Sequence, residues 1–196
     1  MTRIDFFYDF RSPFAYFAIR RMDLLLDKGA EITWRPIYVS VLLNLQADKA
    51  PWAEREDPFC PAKRAHFMAD IFRLIEYWKI PFAMPSPPIP VCDDAMAIAA
   101  LLEREGISRS GFHDAVFKAV WQEQKDGSDP DVLRACLAAG GHDPGLIDEA
   151  AEKGRDLLTE TTRTHFEGGV FGVPTFVVGN DIYFGADRME MLASKL

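Results

Sequence analysis

The chain has 196 residues, of which 48% are hydrophobic, enough for the core of one domain or of one domain with a large insertion. It carries 30 acidic and 22 basic residues, a net charge of -8, and no basic block. Nucleic-acid binding is disfavoured, because a phosphate backbone needs a concentrated cationic face. No apolar run approaches the roughly 20 residues needed to cross a bilayer.

The N-terminal segment and the cysteines favour a cytoplasmic protein. Arg3, Asp5 and Asp9 interrupt the first apolar stretch, which therefore lacks the long hydrophobic region of an export signal. The three cysteines are far apart and form no C-x-x-C pair, and no His/Cys spacing suits zinc. We expect reduced thiols, a cytoplasmic location and no metal site.

The first part of the chain predicts a βαβ unit. Residues 4–8 form a nearly unbroken apolar run, typical of a strand buried on both faces. Ser12 and Pro13 suit the N-cap and the first position of a helix, whose apolar spacing continues up to a Lys-Gly pair. Residues 31–37 predict a second strand, which Pro36 places at an edge or an end. This order predicts parallel pairing with a right-handed crossover.

The middle of the chain predicts helices. The first is expected over residues 62–78, and a proline-rich connector follows it. Further helices are expected beyond the connector, mostly separated by glycines that act as breakers. Their predicted ranges are 93–105, 110–124, 128–139, 143–153 and 155–167.

The last part of the chain returns to β structure. Residues 174–178 predict a strand, a Gly-Asn-Asp turn follows, and residues 182–184 predict its hairpin partner. Ala186 and Asp187 then begin a final helix.

The order of these elements predicts a mixed α/β fold. Residues 1–44 and 168–196 are expected to form one discontinuous domain around a single sheet. Residues 45–167 are expected to form an all-α insertion, because helices separate the two halves of the sheet in sequence.

Three stretches of the sequence resemble one protein family. Residues 7–16 (FYDFRSPFAY) resemble the N-terminal active-site segment of 2-hydroxychromene-2-carboxylate isomerases and kappa-class glutathione transferases. Residues 171–176 (FGVPTF) resemble their cis-proline loop, and residues 184–192 (FGADRMEML) resemble their C-terminal segment. The resemblance implies a DsbA-like thioredoxin domain with an inserted all-α domain. It also implies glutathione as cofactor, a small aromatic or conjugated substrate, and a homodimer.

Ser12 is the candidate catalytic residue. In thiol oxidoreductases of this fold a cysteine lies where the first helix begins, and the helix N-terminus stabilises its thiolate. A serine supplies no sulfur, but its hydroxyl can donate a hydrogen bond to a bound thiolate. The resemblance implies that glutathione brings this sulfur. On its local sequence alone, the Ser-Pro pair is more simply an ordinary helix cap.

The resemblance also implies a set of glutathione contacts. A cis bond before Pro174 turns the Val173 backbone toward the cysteine part of glutathione. Asp187 faces the γ-glutamyl ammonium and Lys63 faces a carboxylate of the tripeptide, although an acidic cap and a solvated lysine are the alternatives. The full implied set is Ser12, Lys63, Val173, Pro174, Phe184, Gly185, Ala186, Asp187 and Arg188.

The implied substrate contacts are Tyr16, Ala47, Asp48 and Phe82. Tyr16 lies one helical turn past Ser12, so its phenol either packs in the core or faces the substrate. The isomerases commonly carry Gly-Asn where this chain has Ala47-Asp48. An aspartate there would repel an anionic substrate, which leaves the substrate open.

The residues leave three functions open. A glutathione thiolate can isomerise a conjugated intermediate of aromatic-compound catabolism by addition and expulsion, which the resemblance favours. The same thiolate can be consumed on an electrophile or a peroxide, as in a kappa-like transferase or peroxidase. The protein can also bind glutathione without catalysis. A dithiol oxidoreductase is excluded, because no second cysteine lies near Ser12 in the sequence.

Overall fold

The computed structural model describes residues 1–54, 59–106 and 110–196. Within these ranges the sheet has four strands, β1 (Thr2–Tyr8), β2 (Ala30–Pro36), β3 (Thr175–Val178) and β4 (Asp181–Phe184). Their order across the sheet is β2-β1-β3-β4. Strand β1 pairs with β2 in parallel and with β3 antiparallel, and β4 pairs antiparallel with β3. The predicted parallel pairing and the edge position of the second strand are confirmed.

Helices surround this sheet and account for most of the remaining described residues. The helices Asp93–Arg104 and Leu146–Glu167 pack on each other, and both also contact β2. In chain order the helices are α1 (Pro13–Arg20), α2 (Asp23–Leu26), α3 (Val39–Gln46), α4 (Pro61–Trp78), α5 (Asp93–Arg104), α6 (Ser110–Trp121), α7 (Pro130–Ala139), α8 (Leu146–Glu167) and α9 (Met189–Ala193), the last preceded by a 3-10 turn at Ala186–Arg188.

The sequence did not predict α3, and this helix spans the predicted domain boundary between residues 44 and 45. Its N-cap residue, Tyr38, makes no side-chain capping bond. The Asp9 carboxylate accepts the hydrogen bond of the Val39 amide instead, at 2.9 Å. A cap supplied from so far away in sequence leaves no local signal. The division into two domains stays a prediction, and residues 55–58 and 107–109 of the insertion lie outside the described residues.

The first helix is shorter than the sequence predicts, so its predicted length is wrong. It ends at Arg20, and a short second helix, α2, follows it. Arg21 leaves the helical conformation at φ -122° and ψ 12°. Its guanidinium then reaches the Ala186 carbonyl at 2.9 Å and stacks over the Trp78 ring. Contacts with distant parts of the chain therefore decide where this helix ends.

Gly154 does not end a helix, contrary to the sequence prediction. The two helices predicted on either side of it form the single helix α8. A Cβ atom at Gly154 would lie 2.5 Å from the Ala97 Cβ, closer than two carbon atoms can approach. The glycine is therefore needed where α5 and α8 touch, and its weak helix propensity is offset by this packing.

In the part of the chain that the structure describes, no helix combines the length and the apolar content needed to cross a membrane. The same residues contain no group of three His, Cys, Asp or Glu side chains placed to hold a metal ion.

Replacing Gly154 by alanine tests the contact between α5 and α8. We expect Gly154→Ala to lower the free energy of unfolding by about 2 kcal/mol, because overpacking outweighs the gain in helix propensity. The double change Ala97→Gly with Gly154→Ala should recover part of this loss. The control is Gly168→Ala, where a new Cβ would be 3.4 Å from its nearest atom. Urea denaturation measures all three, and equal stabilities of Gly154→Ala and wild type would contradict the packing argument.

His165 predicts a dependence of stability on pH. Its ring packs edge-on against Phe7 with centroids 4.8 Å apart, and its Nε2 atom is buried without a hydrogen-bond partner. Burial, and next the charge of Arg35, lower the pKa of this imidazole to about 4, although Asp5 raises it slightly. As the pH falls, His165 therefore takes up a proton in the unfolded chain at a higher pH than in the folded protein.

Wild type should lose stability relative to His165→Gln as the pH falls from about 6.5, the ordinary value, to about 4. Above that window the two proteins should differ by a constant amount. Denaturation midpoints measured across this range check the expectation, and parallel curves for the two proteins would refute it.

Candidate active site

Ser12 lies at the start of α1, directly after the loop that follows β1. Its Oγ accepts a hydrogen bond from the Ala15 amide at 3.2 Å, and its own amide donates to the Asp9 carbonyl at 3.0 Å. Pro13 occupies the first helical position, as predicted. The serine is half-buried. A hydroxyl that accepts from its own helix still has a proton to donate, so capping and ligand binding are compatible at Ser12.

The cis-proline loop lies at the same end of the sheet as Ser12. The Val173–Pro174 peptide bond is cis, which confirms the conformation that the resemblance implied. Strand β3 begins after Pro174 and runs antiparallel to β1, with Thr175 opposite Phe7. The beginning of β3 therefore lies beside the end of β1, and the end of β1 leads to Ser12.

The C-terminal segment is joined to this loop by the backbone. The Gly185 amide donates to the Pro174 carbonyl at 2.9 Å. Gly185 has φ 109°, a backbone conformation that glycine adopts readily and residues with a Cβ adopt at a cost in strain. The side chains of Asp187 and Arg188 are 57% and 50% exposed and lie 3.4 Å apart. Both are accessible to a ligand, and their contacts with glutathione stay predictions.

Two exposed aromatic rings flank the cis-proline loop. Phe184 and Phe171 have ring centroids 4.9 Å apart, and about half of each side chain is exposed. Gly172 leaves room for this pair, since an added Cβ would lie 2.7 Å from the Phe184 ring. The loop therefore presents apolar surface next to the predicted glutathione contacts.

Lys63 lies in the first turn of α4, with its Nζ 4.6 Å from the centroid of the Phe59 ring. Aromatic contacts connect this point to α1, because Phe67 packs on Phe59 at 5.4 Å and on Phe14 at 5.1 Å. Phe14 is two residues after Ser12. The first turn of α4 holds no acidic residue, and a cation there is unfavourable for the helix dipole. Lys63 is exposed at this point of the chain, and its contact with a carboxylate of glutathione stays a prediction.

Tyr16 is fully buried, and Phe82 packs beside it as a half-buried residue. The Tyr16 hydroxyl donates to the Pro81 carbonyl and accepts from Gln122 Nε2 at 2.9 Å. Burial raises the pKa of this phenol above its ordinary value, although the bond from Gln122 lowers it. The ring of Phe82 lies 6.3 Å from that of Tyr16 and 5.6 Å from that of Trp121. The phenol is thus bound within the chain, and contact of either residue with a substrate stays a prediction.

Ala47 and Asp48 end α3. Asp48 adopts the left-handed conformation at φ 52°, and its amide donates to the Leu45 carbonyl at 3.1 Å. Asparagine and aspartate tolerate this conformation better than most residues. The exposed aspartate therefore suits the backbone geometry, and it adds a negative charge where the isomerases commonly carry an asparagine.

Asp9 and Arg11, in the loop before Ser12, have structural roles that the sequence did not predict. The Asp9 carboxylate is fully buried and accepts hydrogen bonds from Arg11 Nη2 at 2.7 Å and from the Arg11 amide at 2.8 Å. The Arg11 guanidinium also donates to Ser40 Oγ at 3.1 Å and lies over the Tyr38 ring. An acid inside an apolar run that leads into a helix was the available signal, because a buried carboxylate needs partners.

Comparisons with known proteins agree with this geometry. The model of the DSBA-like thioredoxin domain matches residues 3–196. The chain belongs to this family. It is 30% identical to a 2-hydroxychromene-2-carboxylate isomerase of Sphingobium xenophagum, with all of this chain and 99% of that protein covered. It is 24% identical to a Caenorhabditis elegans protein named glutathione S-transferase kappa 1, with 100% of this chain and 91% of that protein covered.

A solved structure shows the same fold. The structure of a 2-hydroxychromene-2-carboxylate isomerase matches with a TM-score of 0.80 at 24% identity, over 98% of this chain and 93% of that one. The DsbA-like thioredoxin fold and the family resemblance are therefore confirmed. Relatives that are named as isomerases and as a glutathione transferase support an enzyme.

Two substitutions at Ser12 separate its capping role from any catalytic role. Ser12→Ala removes the oxygen that accepts from Ala15, so we expect a loss of about 1 kcal/mol in the free energy of unfolding. Ser12→Asp keeps a capping oxygen and places a negative charge at the positive end of the helix, so stability should be kept. Thermal or urea denaturation compares the two, and a fully stable Ser12→Ala protein would argue against the cap.

Proposed function

We propose that this protein is a glutathione-dependent isomerase of the 2-hydroxychromene-2-carboxylate isomerase type. The observation that carries the proposal is Ser12, a capping serine whose hydroxyl can still donate a proton, at the end of the sheet where the cis Val173–Pro174 bond also lies. In this fold the first helix begins at the position where redox enzymes hold a thiolate. A serine there suits an enzyme whose sulfur is brought by a ligand.

The side chains around Ser12 suit glutathione as that ligand. Lys63 has the charge to bind a carboxylate of the tripeptide, and Asp187 has the charge to bind its ammonium group. The backbone of Val173 precedes a proline in the cis conformation and offers β-like pairing to the cysteine part. Phe184, Gly185, Ala186 and Arg188 complete the proposed contacts.

Bound glutathione supplies a nucleophilic thiolate for addition to a conjugated double bond and later expulsion. Ser12 steadies the negative charge of that thiolate by donating its hydroxyl proton, and the N-terminus of α1 favours the same charge. Isomerisation consumes neither glutathione nor a redox equivalent, so a site without its own cysteine is sufficient. Tyr16, Ala47, Asp48 and Phe82 are the proposed contacts of the small conjugated substrate.

A second candidate is a kappa-like glutathione transferase or peroxidase. The similarity to the C. elegans protein named glutathione S-transferase kappa 1 favours it. The charge of Asp48 also favours it, because a neutral electrophile is not repelled by a carboxylate. In this case Ser12 activates the same thiolate, but glutathione is consumed.

The family resemblance suggests three further features of the biological setting. These are a cytoplasmic location, a homodimer, and a role in the catabolism of aromatic compounds. We include them in the proposal.

The decisive experiment measures turnover of 2-hydroxychromene-2-carboxylate with and without glutathione. We expect turnover to require glutathione and to leave its concentration unchanged. Ser12→Ala and Ser12→Asp should both lower kcat/KM on the order of 100-fold, since each removes the donor to the thiolate. Ser12→Thr, which keeps a hydroxyl, is the matched control.

Other outcomes decide between the alternatives. Equal rates with and without glutathione would remove the role of the thiol. Consumption of glutathione with chlorodinitrobenzene, without isomerisation, would identify a transferase. Binding of glutathione without activity on either substrate would indicate a non-catalytic protein.

A further inference from the structure

Helix α3 contacts both loops of the candidate active site. At its first residue the Val39 amide donates to Asp9, and one residue later Ser40 Oγ accepts from Arg11 at 3.1 Å. At its last residue Gln46 Nε2 donates to the Phe171 carbonyl at 2.7 Å. Asp9 and Arg11 lie three residues and one residue before Ser12. Phe171 lies two residues before Val173, whose bond to Pro174 is cis. The two ends of α3 are therefore bonded to the two loops of the site, at the Gln46 end through one exposed hydrogen bond.

The Arg11 end of this connection is rigid and largely shielded from water. The Asp9 carboxylate is fully buried and binds two guanidinium nitrogens of Arg11 and two backbone amides. The Arg11 side chain is 14% exposed, and one face of its guanidinium lies 3.9 Å from the centroid of the Tyr38 ring. Hydrogen bonds between charged groups in a partly dry site resist displacement more than exposed ones do.

The direction of the Arg11 side chain argues for a positioning role. The edge of its guanidinium is bonded to Asp9 and Ser40, and its face is covered by the Tyr38 ring. A cation bound in this way holds neighbouring chain segments together. Ser12 follows Arg11 directly, so the position of the Ser12 hydroxyl depends on how Arg11 is held.

We propose that α3 acts as a strut that sets the spacing between Ser12 and the cis-proline loop, with Arg11 and Gln46 as positioning residues at its two ends. An eight-residue helix spans about 12 Å and is stiff over that length. A shift of either end is therefore transmitted to the other. The mechanical coupling is independent of the ligand, whereas its catalytic effect rests on the proposed function.

Amide hydrogen exchange tests the mechanical coupling in the full chain without any ligand. Arg11→Met should speed exchange at Gly172 and Val173, at the far end of the strut, as well as near residues 9–12. Gln46→Leu should speed exchange at Ala15, whose amide is bonded to Ser12. The control is Arg35→Met, which removes an arginine paired with Asp5 and Glu103 at 2.9 and 2.6 Å. It should change exchange only around those partners.

The strut is refuted if Arg11→Met changes exchange only near residues 9–12 and 38–40. It is also refuted if Arg35→Met disturbs the cis-proline loop as much as Arg11→Met does. The first result would mean that the effect of Arg11→Met stays local. The second would mean that the cis-proline loop responds to any general loss of stability and not to α3.

Kinetics tests the catalytic effect of the strut. Arg11→Met should lower kcat/KM with glutathione about tenfold and move the limb of the pH profile that reports thiol ionisation to higher pH, because Ser12 is displaced. Arg11→Lys should restore part of the activity, since it keeps the charge paired with Asp9. Adding Gln46→Leu to Arg11→Met should cause little further loss, because one free end already releases the strut.

Independent losses from Arg11→Met and Gln46→Leu that multiply in the double variant would contradict the coupling. An Arg11→Met enzyme with a wild-type pH profile and rate would contradict the catalytic effect. A wild-type protein that does not use glutathione would refute the proposed function, while hydrogen exchange would still decide whether α3 couples the two loops.

Discussion

The buried carboxylate of Asp9 holds together the loop on which the candidate site depends. Removing an ionised carboxylate from water costs several kcal/mol, and here Arg11 and the first amide of α3 compensate for that cost. The interaction of Asp9 with these groups therefore fixes the positions of Arg11, of the start of α1 and of the start of α3. Loss of Arg11 would leave an unpaired buried charge, so the pair stabilises one geometry of this loop and disfavours others.

On the proposed function, a chain with net charge -8 binds an anion at one point of its surface. The field that would act on a ligand at Ser12 is local, because salt screens distant charges. Its sources there are the N-terminus of α1 and the Ser12 hydroxyl. An alcohol in place of a cysteine keeps this environment but cannot form a disulfide. On the proposed function, the chemistry depends on a sulfur that arrives with the ligand, and relatives named as isomerases and as a glutathione transferase support this proposal.

Features with local causes could be predicted from the sequence, and features with distant causes could not. The Ser12 cap, the parallel β1–β2 pair and the cis bond at Pro174 each carry their signal within a few residues or within a family motif. Helix α3 was missed because its first amide is bonded by a residue about one βαβ unit earlier. The local sequence predicts a helix break at Gly154, because the residue that requires a glycine there, Ala97, lies on another helix. The role of Arg11 has both a local and a distant cause: Asp9 lies two residues away and offers a local signal, whereas Ser40 and Tyr38 are far along the chain.

The proposed chemistry requires that Ser12 stabilises the thiolate of bound glutathione. Ultraviolet absorbance of the thiolate, followed against pH for glutathione bound to wild type and to Ser12→Ala, measures this directly. The account predicts that wild type lowers the pKa of the bound thiol well below that of free glutathione and that Ser12→Ala returns it close to the free value. An unchanged pKa in wild type, or an equal lowering in both proteins, would contradict it.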